Sequence, residues 1–457
     1  MSRFEAVRFL RRDPIGLLER AADLGDVVRV RVPRLDLYVI NHPDLVWDVL
    51  ATDARAFSKG PTMQAAKRIL GESLLTSEGE NHRRQRRLIQ PLFHHERLFG
   101  FAPTIREWSE HAADRWADHE MIDVREQMAR LTLGIVARTL FGSEIDETRS
   151  VRIAGALTDV LDQFDRVFSP LLPITERLPI PSTRRFQRAR EVFDEIFYGL
   201  IAERRASGAR GDDLLSRLIR AQDAGSGMTD EQVRDEAITI FLAGHETTSN
   251  ALTWTWLLLS THRDVEARFH ERLDDEAFVL AVVHESMRLY PPAWAIGRRV
   301  LSVHVADGVR IPAGAVVIVS PWLLHHDPRW WAEPMAFRPE RWIDGEPVAR
   351  RHAFLPFGGG PRMCIGEGFA ELEASVVLST IGRRWRFEHD PAHRVELQPV
   401  VTLRPRNGMP MRAYRRDSER VGSPGSSRRS SAIRLTPSSA VPATNGEGSR
   451  SVRGSVG

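Results

Sequence analysis

The 457-residue chain contains one cysteine, Cys364. An intramolecular disulfide and a multi-cysteine zinc site are therefore excluded, and a lone thiol fits a reducing compartment. Lysine is almost missing as well. It occurs only at Lys59 and Lys67, so arginine supplies the rest of the 64 basic residues. GC-rich coding explains so uniform a replacement better than phosphate recognition does. No apolar run reaches the length of about eighteen residues needed for a membrane-spanning helix. Met1-Ser2-Arg3-Phe4-Glu5 opens without the apolar core and cleavage site of a leader, so an unexported, cytoplasmic protein is expected. Charge is also scarce in net terms. The excess is +3, and arginines within 417–457 account for it, leaving the remainder near neutral. That balance is no polyanion-binding signature, and nucleic acid is not expected as a partner.

What is present suffices for a large core, since 42% of residues are apolar. Helical periodicity runs through Leu17, Leu18 and Ala21. Val27–Val32 and Leu37–Ile40 read as two strands around Pro33-Arg34. Asn41-His42-Pro43 starts a short helix with proline in its first turn. Residues 57–79 look irregular, with Gly60-Pro61 and Gly71, and a loop this long is usually functional. Residues 101–220 read as successive helices broken by a proline-rich apolar stretch with Pro170, Pro173, Pro179 and Pro181. Thr229 and Gln232 form a capping box for a long helix over 229–260. Strands follow at Val300–Val305 and Ala315–Val319, then a last hairpin of Val400–Leu403 and Pro410–Tyr414 about Asn407-Gly408. From Asp417 onward serine, glycine and arginine dominate, and 417–457 reads as a disordered tail. The fold class is mainly α with a small β region.

Four stretches break local rules in ways that point to chemistry. Phe357-Gly358-Gly359-Gly360-Pro361-Arg362-Met363-Cys364-Ile365-Gly366 surrounds the only thiol with glycines, which permit tight turns and close approach by something flat. Its backbone N–H groups are free to stabilise a thiolate, and the helical pattern that follows places the sulfur before a helix N-terminus, where negative charge is favoured. A lone cysteine is otherwise most often a small buried hydrophobe. Ala243-Gly244-His245-Glu246-Thr247-Thr248 sits within the long helix although glycine costs about 0.8–1.0 kcal/mol there relative to alanine. The Thr247 hydroxyl can bond a carbonyl one turn back and open the helix locally; the plainer alternative is an exposed patch on an amphipathic helix. His82 and Arg86 lie four apart on one helical face, either to hold carboxylates or as part of a solvated basic helix with Arg83, Arg84 and Arg87. Glu285 and Arg288 lie three apart among apolar neighbours and read as a buried ion pair.

Phe-x-x-Gly-x-Arg-x-Cys-x-Gly resembles the haem-ligand loop of the cytochrome P450 family, and the resemblance extends over about residues 5–415 with four motifs in order. It implies a cytochrome P450-like single haem domain, residues 1–416, carrying haem b (iron protoporphyrin IX), with Cys364 as the axial thiolate on iron and Phe357 in its loop. By the same resemblance His82, Arg86, Arg298 and Arg362 contact the haem propionates, with Arg299 the alternative to Arg298 because the register is open by one. Glu246 and Thr247 correspond to the acid–alcohol pair that supplies protons for dioxygen chemistry. Ala243, Gly244, Ala295 and Ile296 would line the substrate pocket, and the proline-rich stretch would roof it. Glu285 and Arg288, joined by Arg341 from Phe337-Arg338-Pro339-Glu340-Arg341-Trp342, match a structural triad beneath the haem.

The implied activity is monooxygenation of a C–H or C=C bond in a hydrophobic small molecule, of the kind met in secondary metabolism. Electrons from NAD(P)H would arrive through a ferredoxin or flavodoxin with its reductase, because the chain holds no flavin or iron–sulfur motif. Some of Arg83, Arg84 and Arg87 would face that acidic partner, and a monomer is expected. Two rival readings are a peroxide-driven peroxygenase, which usually lacks the acid–threonine pair, and a non-enzymatic haem-thiolate sensor or carrier, which has no need of it. The sequence departs from the family in a short N-terminal segment and a shortened stretch between Arg263-Asp264-Val265 and Glu285.

Overall fold

The computed structural model describes residues 8–10, 12–32, 35–142, 147–161, 180–208, 211, 213–223, 228–343 and 351–416. The helices that position the site are α1 (Gly79–Ile89), α2 (Val124–Phe141), α3 (Pro181–Ala206), α4 (Asp230–Thr261), α5 (Glu276–Leu289) and α6 (Glu367–Gly382). Helix α4 is the axis. The Thr229–Gln232 capping box forms reciprocally and starts it, and it ends at His262. Over much of its length it is buried on nearly every side, which is why its sequence lacks a clean amphipathic stripe. Helices α2, α3, α5 and α6 all pack against it.

A five-stranded sheet flanks this bundle. Its strands are β1 (Val27–Val32), β2 (Leu35–Ile40), β3 (Phe57–Lys59), β4 (Ile296–Val300) and β5 (Val316–Val319), in the order β1-β2-β5-β4-β3. The β1–β2 hairpin expected from sequence pairs Val32 with Leu35. Antiparallel pairing of β3 with β4 sets Lys59 directly opposite Arg298 and Ser58 opposite Arg299. Residues directly opposite share a sheet face, so one residue pair fixes which arginine turns inward.

Several expectations change. Residues 57–79 are not one irregular loop: after β3, Pro61–Leu70 is a helix with proline at its first turn and Gly71 (φ +54°) at its end. Gly60-Pro61 is a start signal there, not a break. The Val300–Val305 strand ends at Val300, and His304–Ala306 pairs instead with Val309–Ile311. The last hairpin is also different. Leu397–Pro399 pairs with Leu403–Pro405, whereas Pro410–Arg415 lies between Trp385–His389 and Met121–Asp123. Gly408 does turn (φ +76°), but between two sheets. The shortened stretch before Glu285 is closed compactly: helix Arg263–Glu271 is followed by Asp275, whose carboxylate caps α5 at the Phe278 N–H, 3.1 Å. Pro181 opens α3, while Pro170, Pro173, Pro179, Pro33-Arg34 and the 417–457 tail lie outside the described residues. Among the described residues no helix is long and apolar enough to cross a membrane.

Candidate active site

The cysteine loop is built by glycines that nothing larger can replace. Gly358 and Gly360 adopt φ +73° and +69°, and a Cβ on Gly360 would stand 2.1 Å from the Leu50 carbonyl oxygen. The tightly folded loop then satisfies itself: Cys364 N donates to Phe357 O and Met363 N to Gly360 O, both at 3.0 Å. Two distant side chains hold it in place. Buried His325 accepts the Leu355 N–H at Nε2 (3.0 Å), and Arg86 Nη1 donates to Met363 O (2.8 Å). Cys364 is exposed, yet the protein packed around it desolvates the thiol and pushes its pKa up. The Gly366 N–H and Arg86 oppose that rise, and Glu367 adds to it. The sulfur is thus both open and desolvated, and its residue stands just before the α6 N-terminus.

On α4, Ala243, Glu246 and Thr247 occupy one face. Thr247 Oγ1 donates to Ala243 O at 2.6 Å, and the helix continues unbroken through this bond instead of opening. Glu246 Oε1 accepts from Asn250 Nδ2 (3.1 Å) and from Thr402 Oγ1 (3.0 Å). Gly244 requires a correction. Its missing Cβ points at α2, 3.2 Å from Val136 Cγ2, so it allows two helices to approach instead of lining the pocket. His245 likewise turns away and is buried, its carbonyl accepting from Thr132 Oγ1 at 3.2 Å. Ile296 starts β4 and reaches the cysteine loop, its Cδ1 within 3.5 Å of the position a Gly358 Cβ would take; Ala295 beside it is half-buried.

Cations gather beside the loop. Arg298 is buried and Arg299 exposed, so Arg298 is the inward arginine. Around it stand Lys59, His82, Arg86 and Arg362, with Glu78 as the nearby acid. Arg362 Nη2 pairs with Glu78 Oε2 at 2.8 Å and also donates to Phe57 O, while Nη1 reaches Ala54 O. Lys59 Nζ donates to Leu74 O (2.8 Å) and Ser77 O (2.7 Å). Burial first, then the surrounding arginines, lower Lys59 to about 7 and Arg298 to about 10, with Glu78 opposing. Burial, followed by Lys59, Arg362 and Arg86, lowers His82 to about 4, so this ring is a neutral donor near pH 7 and not a cation. Arg298 Nε is buried with no hydrogen-bond partner among the described residues. Like charges facing each other across β3–β4 are unfavourable alone. One open thiol flanked by an under-neutralised cationic wall fits a metal macrocycle bearing carboxylates, as iron protoporphyrin IX does. Lys59 and Glu78 escaped sequence reasoning; the available signal was that Lys59 is one of two lysines in an arginine-rich chain.

Beneath the loop, Glu285 and Arg288 are completely buried and form a two-pronged pair at 2.8 and 2.9 Å. Arg341 Nε (3.0 Å), Trp342 Nε1 (2.9 Å) and the Arg338 N–H (3.1 Å) complete the hydrogen bonding of Glu285. Arg288 donates further to His325 O, Pro334 O and Ala336 O. His325 thus links this cluster to the cysteine loop.

The family model for Cytochrome P450 matches residues 17–410. The chain is 36% identical to cyclooctat-9-en-7-ol 5-monooxygenase of Streptomyces melanosporofaciens, over 83% of this chain and 86% of that protein. It is 33% identical to pentalenene oxygenase of Streptomyces avermitilis, over 85% of this chain and 90% of that protein. The crystal structure of CYP175A1 from Thermus thermophilus superposes with a TM-score of 0.74 at 29% identity, covering 89% of this chain and 97% of that one.

Proposed function

The chain belongs to the cytochrome P450 family and is a haem-thiolate monooxygenase, and from that premise we propose that it oxidises a polycyclic terpenoid with electrons from a separate protein. The observation that carries this reading is the open, desolvated Cys364 thiol in a self-bonded glycine loop, in a chain whose α4 presents Glu246 and Thr247 on one face. Bound haem would supply dioxygen activation and oxygen-atom transfer to a C–H or C=C bond.

The protein's own residues do the rest. Cys364 would hold the iron as a thiolate, the charge of the metal offsetting the burial that otherwise favours the thiol. Arg86 steadies the sulfur twice, through the Met363 carbonyl and through its charge. His82, Arg86, Arg298 and Arg362 would bind the two propionates, with Lys59 adding charge behind them. Thr247 donates to Ala243 O, so its oxygen lone pairs stay available to accept a proton-bearing group. Glu246, one residue away, holds and passes the proton. Ala243, Ala295 and Ile296 present apolar surface to substrate and exclude water.

NAD(P)H, a reductase and a ferredoxin or flavodoxin would supply electrons. Exposed Arg83 and Arg87 on α1, which share Glu80 at 2.6 and 3.0 Å, lie on a face suited to an acidic partner. Two relatives are named for polycyclic terpene substrates, which supports that class. The Glu246–Thr247 pair argues against a peroxide-driven enzyme or a carrier.

Reconstituted protein, reduced under CO, should show a strongly red-shifted Soret band that Cys364→Ala abolishes. Persistence of the band in Cys364→Ala would refute ligation. Polycyclic terpene hydrocarbons and alcohols should shift the iron from low to high spin; a response confined to linear fatty acids would overturn the substrate class.

A further inference from the structure

The hairpin of Leu397–Pro399 and Leu403–Pro405 meets α4 at the acid of the proton-handling pair. Thr402, buried at the hairpin tip, donates to Glu246 Oε1 at 3.0 Å. Asn250, one helical turn beyond Glu246, donates both to that oxygen (3.1 Å) and to Thr402 Oγ1 (3.2 Å). The three polar groups close on one another. Both bonds to the carboxyl land on Oε1, and Thr247 spends its own proton on Ala243 O. Among the described residues, Glu246 and Thr247 therefore make no hydrogen bond with each other.

The other side of the tip is apolar and docks through three hydrogen bonds. Val400 and Val401 are half-buried, and the tip is tied at Val400 to Trp294, the chain neighbour of Ala295. Trp294 Nε1 donates to Val400 O (3.0 Å), Trp254 Nε1 to Leu403 O (3.0 Å), and Leu403 N to Pro292 O (2.9 Å). A ribbon with three residues per strand has little stability of its own, so its place is set by these docking bonds and by what packs on its half-buried valines. An apolar molecule seated against Val400, Val401 and Ala295 would press on the residue adjoining Thr402.

We propose that Thr402 is a positioning residue that parks Glu246 away from Thr247 until substrate displaces the hairpin tip. This rests on the assignment of Glu246 and Thr247 above and extends it to a residue outside α4. Substrate contact and proton supply are then the same event. Without substrate, Asn250 and Thr402 occupy the carboxyl; with substrate, the tip shifts, Thr402 Oγ1 leaves, and Glu246 rotates toward Thr247. Reducing equivalents are thereby kept from draining into peroxide or water when nothing is bound.

The test uses reconstituted holoenzyme with a surrogate ferredoxin, reductase and NADPH. Thr402→Val removes the donor at nearly constant volume, and Thr402→Ser keeps it. Substrate-free NADPH consumption by Thr402→Val should rise about three- to tenfold, a fraction of what a hydrogen bond to a charged group supplies, while Thr402→Ser matches the parent. A second readout needs no turnover. The Glu246 carboxyl infrared band, assigned by difference against Glu246→Gln in haem-free and haem-loaded protein, should shift in Thr402→Val but not in Thr402→Ser. A saturating terpene that gives the spin-state change should shift the parent's band the same way. A parent with a normal red-shifted CO band, whose rate and carboxyl band Thr402→Val leaves unmoved, overturns this proposal alone. A parent without that CO band removes the function assigned above and the proposal with it.

Discussion

Lys59 is a costly residue at its position. It is buried opposite another cation, and its pKa falls to about 7 from the ordinary 10.5, first through burial. The unfolded chain therefore binds more protons than the folded one between about pH 7 and 10.5, so stability rises with pH across that window and the penalty is full below it. In haem-free protein, Lys59→Met should remove that slope, gaining on the order of 2–4 kcal/mol relative to the parent on going from pH 9.5 down to pH 6. Lost bonds to Leu74 O and Ser77 O set a pH-independent offset, so the slope is the readout, taken from urea unfolding at both pH values. Parallel profiles would show that Lys59 carries no strain. Binding of an anionic ligand should relieve the penalty, which gives the cationic wall its purpose. Thr247 invites a simpler test: Thr247→Ala should divert NADPH electrons into peroxide, and undiminished coupling to product would remove it from proton transfer. These residues differ in how far sequence reveals them. Cys364, Glu246 and Thr247 stand out in the sequence because each breaks a local rule inside its own segment. Lys59, Glu78 and Thr402 do not, because strand pairing and a hairpin tip give them their neighbours.

At the scale of elements, ion pairing and backbone geometry impose separate tolerances. Arg288 is fully buried and makes bonds to Glu285 and three carbonyls, so its removal takes the donor from those carbonyls and leaves buried Glu285 one of its two cations, Arg341. Arg288→Ala should cost roughly 3–5 kcal/mol and yield unfolded or haem-free protein; purification of normal holoprotein would show the triad to be dispensable. Arg288→Lys should fare little better, since an ammonium cannot reproduce the planar fork. Gly360→Ala attacks the loop through space and φ together, and should lose the red-shifted CO band while the far-ultraviolet helical signal persists. Retention of haem with a normal band would mean that the Leu50–Ala51 backbone yields. Helix positions followed well from caps and periodicity, as Thr229–Gln232 shows. Gly244 was misassigned because glycine in a helix has two uses, close packing and a polar interruption, and only the position of Val136 decides between them. The hairpin assignment failed for a related reason: alternation identifies strands, but partner choice between Leu403 and Trp385 is set by tertiary contacts.

For the molecule as a whole, the remaining question is where the fold closes. The family match ends at residue 410, and Pro410–Arg415 is the central strand of its sheet, flanked by Met121–Asp123 and Trp385–His389. Arg416 still contributes, with N donating to Arg384 O (3.0 Å) and Nη1 to Gly382 O (2.8 Å) at the end of α6. Composition assigns 417–457 no core, and those residues carry the arginines that make up the chain's net +3. A chain ending at Arg416 should therefore keep its unfolding midpoint, its CO band and its terpene-induced spin shift, while binding anion-exchange resin more strongly than the parent. A chain ending at Ala413 loses Tyr414 and Arg415 from the central strand as well as the Arg416 anchor, and should unfold several degrees earlier. If the Arg416 truncation destabilised the protein as much as the Ala413 truncation, the tail would have to pack on the domain, and its composition would have been misread. If both truncations were harmless, the central strand would owe its place to Pro410–Ala413, and the pairing of Tyr414 with Arg386 and Arg415 with Trp385 would be incidental to stability.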